Sequence, residues 1–212
     1  MDRAAIILAG GNSQRFKADK GLTDLAGKPL ILYVIERVQD LVDEIVVCVK
    51  SDEKRLLYSS VLPKNSRIVV DMEGFPTCPL TGAHTGLMKT QSEYSILLPC
   101  DTPFISRRLI DLLFDIAVGV NAVIPRWPNG YIEPLQAVYR TKPAQKAARE
   151  CLKRGENRMR SMISSLRKVR YLSTIVIREI DPKMLTFFNV NAPLDLRRAE
   201  VMIRKNAKLK HK

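Results

Sequence analysis

The sequence predicts an α/β protein whose mostly parallel sheet carries helices on both faces. Three observations predict it. Short apolar runs recur at 4–9 ("AAIILA"), 44–49 ("EIVVCV"), 67–71 ("RIVVD") and 94–101 ("YSILLPCD"), as strands buried on both faces require. Segments with helical spacing separate these runs, which suits crossovers between parallel strands. Several runs stop abruptly, at Gly10-Gly11, at Asp71 and at Asp101.

The elements follow in order. After the first strand, a helix starts near Pro29, with Leu30, Val34, Val38 and Leu41 on one face and proline suited to a first turn. The second strand is 44–49. Residues 51–61 combine a Ser cap with an acidic first turn, so they start a short helix. The third strand, 67–71, leads to the loop "MEGFPTCPL". Residues 81–91 have helical character that Gly82 and Gly86 weaken. The fourth strand, 94–101, precedes a helix at about 106–118 and a strand at 121–126. The loop "WPNGYIE" and a strand at 134–140 come next, then helices at 143–154 and 158–165. "KVRYL" and "TIVIREI" are expected to be extended, because β-branched residues favour strands. "FFNVNAPLDLRRAEVMIRKN" closes the chain as a short strand, a turn and a helix. There is no repeat, low-complexity segment or linker. One domain over 1–200 is expected, followed by a basic tail at 201–212 that is expected to be mobile.

Composition narrows the function classes. With 212 residues and 46% hydrophobic content, the chain can bury one large core. No apolar run approaches the roughly 20 residues that span a bilayer, and the first apolar stretch is too short for a signal-peptide core. A cytoplasmic location is the default expectation, with no membrane partner. Cys48, Cys78, Cys100 and Cys151 are scattered, without a C-x-x-C pair, which argues against a zinc site or a disulfide framework. Cys48 and Cys100, inside apolar runs, are expected to be buried. A net charge of +13 attracts polyanions: nucleic acid, phosphorylated small molecules or an acidic protein. Much of the excess lies at 152–170 and in the tail, where solvated cations are ordinary.

The strand ends carry the chemistry. In open parallel sheets, ligands bind where strands finish. The loop at 9–20 leaves the first strand at that edge. Gly10 and Gly11 allow close backbone approach and positive φ, and the exposed N–H groups of such a loop make an anion cradle. Arg15 and Lys20 can add charge-assisted hydrogen bonds to phosphates. Neither G-x-x-x-x-G-K-[ST] nor G-x-G-x-x-G is present, and Gly-Gly after a strand also suits a plain turn. Asp101 can hold Mg²⁺, which prefers oxygen ligands and substrate phosphates, although an acid there also suits a turn or helix cap. Asp71 ends its strand in the same way. A glycine loop and two acids at three strand ends point to one cleft.

"LAGGNSQRFKADKGL" resembles the L-A-G-G-x-S-x-R-M-G-x-D-K-G signature of the MobA-like nucleotidyltransferases. "LLPCDTPFI", "CPLTGAHTGL", "EPLQAVYR" and "FFNVNAPLDL" are similar to four further segments of that family, in the same order along nearly the whole chain. The resemblance implies a three-layer, Rossmann-like nucleotidyltransferase fold. It implies transfer of GMP from GTP to the phosphate of molybdopterin with Mg²⁺ as cofactor. By resemblance, Leu8, Ala9, Gly10 and Gly11 lie along the nucleotide, Lys20 holds its phosphates and Arg15 assists. Asp71 lies in the guanine nucleotide site, Pro79, Leu80 and Gly82 flank the base, and Asp101 binds the metal. Asn189 and Asn191 lie near the acceptor's phosphate or the metal. Arg15, Lys20 and Asp101 form the catalytic set. An acidic protein that receives the finished cofactor is a further expected partner.

Three departures stand out: Phe16-Lys17 for the family's Met-Gly, Cys48 for a frequent Asn, and Glu133 for a His. They leave open CMP transfer and other phosphorylated acceptors, namely adenosylcobinamide phosphate, phospholactate and sugar phosphates. A basic nucleotide- or nucleic-acid-binding module without chemistry is the alternative class. Aromatics at only 6% make stacking surfaces for nucleic acid sparse. Steep salt dependence of nucleic-acid affinity would mark the binding module, and Mg²⁺-dependent pyrophosphate release would mark the enzyme.

Overall fold

A computed structural model describes residues 2–10 and 19–210, with only the backbone described at 206–210. Gly11, Arg15, Phe16 and Lys17 lie outside the described residues.

The first half builds a parallel sheet. Strand β1 (Arg3–Leu8) pairs on one side with β4 (Glu44–Val49), which pairs with β5 (Ser66–Val70), and on the other side with β6 (Tyr94–Pro99), all parallel. β8 (Ala137–Arg140) enters antiparallel beside β6, followed by β7 (Ala122–Arg126) and β9 (Val169–Ser173). The spatial order is β5-β4-β1-β6-β8-β7-β9. The expectation of a mostly parallel sheet holds, with β8 as the antiparallel member. β7 and β9 therefore finish at the same edge as β1, β4, β5 and β6.

Helices cover both faces. On one face lie α1 (Leu30–Val38), α4 (Arg107–Asp115) and α7 (Thr174–Ile180), with a core that includes Ile7, Val34, Leu98 and Phe114. On the other lie α3 (Pro79–Lys89), α5 (Thr141–Lys153) and α6 (Met159–Ser164), closing over Ile6, Val46, Leu97 and Tyr139. Helix α2 (Asp52–Ser59) begins as expected: Ser51 accepts from the backbone N–H of Lys54, and Asp52 and Glu53 lie in the first turn, where they favour the helix dipole.

Beside the expected cost in helix propensity, Gly86 of α3 has a packing role. Residues Leu80 to Leu87 are all buried. A Cβ on Gly86 would meet Ile6 Cγ2 at 2.3 Å and Cys48 Sγ at 3.0 Å. The glycine gives up helix propensity so that α3 can lie directly on β1 and β4.

Three local expectations are corrected. "TIVIREI" is helix α7: Ser173 accepts from the Ile175 N–H, and Ile177 is buried beside α4, so capping and packing override strand propensity. The segment after Leu185 makes a 3-10 turn (Leu185–Phe187), with no short strand before the final helix. A small antiparallel pair, β2 (Asp24–Leu25) and β3 (Lys28–Pro29), precedes α1; Gly27 supplies its positive φ of 87°. The last helix, α8 (Pro193–Lys210), runs without a break across position 201.

Candidate active site

A cavity of about 520 Å³ opens at the edge where β5, β4, β1 and β6 finish. Each strand delivers one residue within two positions of its end: Asp71, Lys50, Gly10 and Asp101. Leu8 lies beneath them, and the first turn of α3 supplies Pro79 and Gly82 as a wall. An apolar floor with a few convergent polar groups is what a small-molecule pocket requires.

Lys20 joins two distant parts of the chain. Its ammonium donates to Asp101 Oδ2 and, at 2.6 Å, to Asn191 Oδ1. Both charged side chains are largely enclosed, at 17% and 11% exposure. The other carboxylate oxygen, Asp101 Oδ1, is buried without a hydrogen-bond partner among the described residues. A desolvated acceptor left unsatisfied carries a penalty, and a ligand in the cavity can relieve it. Asp101 is also tied to the segment before α8 through its backbone, whose carbonyl accepts from Val190 N at 3.0 Å. One carboxylate oxygen of Asp195 accepts the N–H groups of Asn191 and Ala192 at 3.0 Å each, which caps α8 and holds Asn191 in register.

Asp19 anchors the chain as it returns to the cavity. Its carboxylate accepts from Tyr58 Oη and from Gly21 N, the latter at 3.1 Å, and pairs with Lys54 at 2.9 Å. Tyr58 is fully buried, and burial pushes its phenol far up, so it remains a donor. A Cβ on Gly21 would meet Tyr58 Oη at 2.3 Å. Lys20 is thus flanked by one residue clasped to α2 and another pressed against it.

Asp71 faces the opposite wall. Burial pushes its carboxyl up to about 6, against the lowering effect of Lys50, because enclosure disfavours the charged form. Its Oδ1 is buried and lacks a hydrogen-bond partner among the described residues. Gly10 and Gly82 lie beside it: a Cβ on Gly10 would press on Lys50 Cγ at 3.2 Å and one on Gly82 on Leu8 Cδ2 at 3.3 Å, each in ordinary contact with an Asp71 carboxylate oxygen. Gly10 does not have the expected positive φ; of the two properties expected of it, only close approach is compatible with its backbone.

Of the sequence-predicted residues, Leu8, Gly10, Lys20, Asp71, Pro79, Gly82 and Asp101 meet at this cavity, and Asn191 joins through Lys20. Ala9 and Leu80 do not line it; their side chains are buried in the core because Ala9 continues the strand pairing through Cys48 and Leu80 faces the sheet. Asn189 is exposed and donates to Phe187 O at 3.4 Å. Gly11 and Arg15 lie outside the described residues. Sequence reasoning missed Lys50 and Asp19. Lys50 follows the second strand as Asp101 follows the fourth, so the same rule would have found it.

Among the described residues, no group of three His, Cys, Asp or Glu could hold a metal by itself. Mg²⁺ does not need one, since it commonly uses one or two carboxylates with water and substrate phosphates. The unpartnered oxygen of Asp101 fits that donor set.

A mostly parallel sheet with a cavity across its strand ends, and a lysine beside a carboxylate on each side of it, has the frame of an α/β nucleotide-binding protein. The MobA-like NTP transferase domain family matches residues 5–169, and this chain belongs to it. A probable molybdenum cofactor guanylyltransferase from Methanosarcina mazei is 32% identical, covering 92% of this chain and 88% of the relative. A molybdenum cofactor guanylyltransferase from Desulfosudis oleivorans is 32% identical, over 94% and 95%. The crystal structure of molybdopterin-guanine dinucleotide biosynthesis protein A from Archaeoglobus fulgidus superposes with a TM-score of 0.81 at 25% identity, covering 95% and 99%. A 2-C-methyl-D-erythritol 4-phosphate cytidylyltransferase from Thermus thermophilus shares the fold alone, with a TM-score of 0.70 at 15% identity, covering 96% and 100%.

Proposed function

We propose that this chain transfers GMP from GTP to the terminal phosphate of molybdopterin and releases pyrophosphate. The observation that carries this reading is the contact of Lys20 with both Asp101 and Asn191 at the rim of a cavity sized for a nucleotide. The relatives named as molybdenum cofactor guanylyltransferases support the choice of nucleotide and acceptor.

The attacking group is a phosphate, already ionised at neutral pH, so the reaction needs no strong general base. The described histidine, His84, is 1% exposed in helix α3, consistent with that. Catalysis reduces to holding two anions together and offsetting charge as pyrophosphate leaves. Lys20 is held by neighbours on both sides, so its ammonium is pre-positioned for a phosphate oxygen. Before substrate arrives, Asp101 and Asn191 occupy its donors. Asp101 would hold Mg²⁺, which supplies Lewis-acid stabilisation of phosphate oxygens when bound. Asp71, ionised above about pH 6, offers an acceptor to N–H or O–H groups of the nucleoside. Gly10 and Gly82 keep the walls beside it free of side chains.

The same reading takes Mg²⁺ as the metal, the cytoplasm as the compartment and an acidic recipient protein for the product. The net charge of +13 supports the recipient's acidity, and no helix among the described residues is long and apolar enough to cross a membrane. A thermal-shift panel of GTP, CTP, ATP and UTP with Mg²⁺ tests the nucleotide assignment. Selective stabilisation by GTP is expected, since a ligand that binds only the native state raises its melting point. Equal or greater stabilisation by CTP would contradict it.

A further inference from the structure

The carboxyl edge of the sheet carries a second hollow. A cavity of about 440 Å³ lies where β7 and β9 finish, lined by Arg126, Trp127, Asn129, Tyr171 and Ser173. Because β7 and β9 run parallel to β6, with the antiparallel β8 between β6 and β7, this hollow shares its edge with the Lys20–Asp101 cavity. Two strand steps separate the ends of β6 and β7, or roughly 10 Å at ~4.8 Å per step.

Its walls suit a flat ring. The Arg126 guanidinium stacks over Tyr171 at 4.9 Å from the ring centroid, although Tyr171 is 43% exposed. The Trp127 indole is fixed on two sides: its Nε1–H donates to Glu133 at 2.8 Å, and its ring packs on Phe187 at 5.5 Å. A planar cation, a phenol and a rigid indole around one open hollow present stacking faces and hydrogen-bond donors to a heterocycle. Glu133, where the related family has a His, is committed to orienting that indole.

We propose that the hollow between Arg126, Trp127 and Tyr171 binds the planar heterocyclic end of the acceptor while the acceptor's phosphate reaches Lys20 and Asp101. This deepens the GMP-transfer reading and rests on it for the acceptor's identity. A phosphorylated molecule whose ring lies roughly 10 Å from its phosphate spans the two sites. The ring's hydrophobic surface offsets the exposure of Tyr171, and Arg126 donates to ring carbonyl or nitrogen acceptors.

Trp127 is the only tryptophan of the chain, so its fluorescence reports on this hollow. The test titrates the full-length protein with 6-hydroxymethylpterin, with and without saturating GTP. Saturable quenching is expected, unchanged by GTP, with a dissociation constant raised by about tenfold or more in Arg126→Ala and Tyr171→Ala and retained in Tyr171→Phe. Absent quenching, wild-type constants in both alanine variants, or displacement by GTP would each overturn the proposal. Acceptor-dependent pyrophosphate release, measured in parallel, reports on the GMP-transfer reading alone. Quenching without release leaves the heterocycle site standing and removes that reading; release without quenching does the reverse.

Discussion

Lys20 and Asp101 lie 81 residues apart in sequence and share one contact at the mouth of the cavity. The pair is enclosed on most sides, so breaking it exchanges charge partners in a partly desolvated place. Under the proposed function, the oxygens of an arriving triphosphate would replace the carboxylate as the lysine's partner.

Lys20→Ala is expected to weaken GTP binding by about 10–100-fold, the range for losing hydrogen bonds to a charged group. Isothermal titration with and without Mg²⁺ measures it. An unchanged dissociation constant would remove Lys20 from the phosphate site.

Asp101→Asn keeps the shape of the side chain and removes its charge. Turnover is expected to fall by about 10²-fold or more, comparable with the loss of one preorganised electrostatic contact, while the near-ultraviolet circular dichroism stays native. Activity close to wild type would refute the metal role.

Gly82 and Gly86, both in α3, are predicted to fail differently. A Cβ on Gly86 collides with Ile6 in the core, so Gly86→Ala should cost about 1–3 kcal/mol of stability, read by denaturant unfolding. At Gly82 the nearest atoms are Leu8 Cδ2 at 3.3 Å and Asp71 Oδ1 at 3.5 Å. Gly82→Ala should therefore leave stability nearly unchanged and weaken GTP binding. Equal loss of stability in both would contradict the division between packing glycine and pocket glycine.

Asp71 predicts two pH effects. Its folded value, about 6, lies above the ordinary 3.8, so the folded state binds the proton more tightly. Stability from this group is fully present below about pH 4 and is lost as pH rises through about 6. Asp71→Asn should flatten the melting-temperature profile across that window and raise the melting point at pH 7. The GTP affinity that depends on the ionised carboxylate should decline as pH falls through about 6. The same titration in Asp71→Asn should lack that component, which separates it from the triphosphate's own titration.

The strand ends made much of the site legible. Gly10, Asp71 and Asp101 each follow an apolar run, and parallel strands bring those ends together whatever their sequence separation. The helical state of "TIVIREI" was not legible, because its β-branched residues give a local preference that Ser173 capping and burial of Ile177 reverse. The clasp of Asp19 by Tyr58 and Lys54 was hidden for a different reason: the partners sit on α2, and nothing in a polar residue's own neighbourhood announces a long-range hydrogen bond. The packing role of Gly86 was not legible, since only the packed structure shows what lies against it. The antiparallel setting of β8 also depends on tertiary arrangement, yet it decides which ends share the catalytic edge.

The central claim is tested most directly by incubating the protein with α-labelled GTP, Mg²⁺ and molybdopterin, and following the label. Label should enter a molybdopterin-guanine dinucleotide product with one pyrophosphate released per transfer, and CTP should not substitute. Pyrophosphate release that does not depend on the acceptor, or transfer from CTP in preference to GTP, would contradict it.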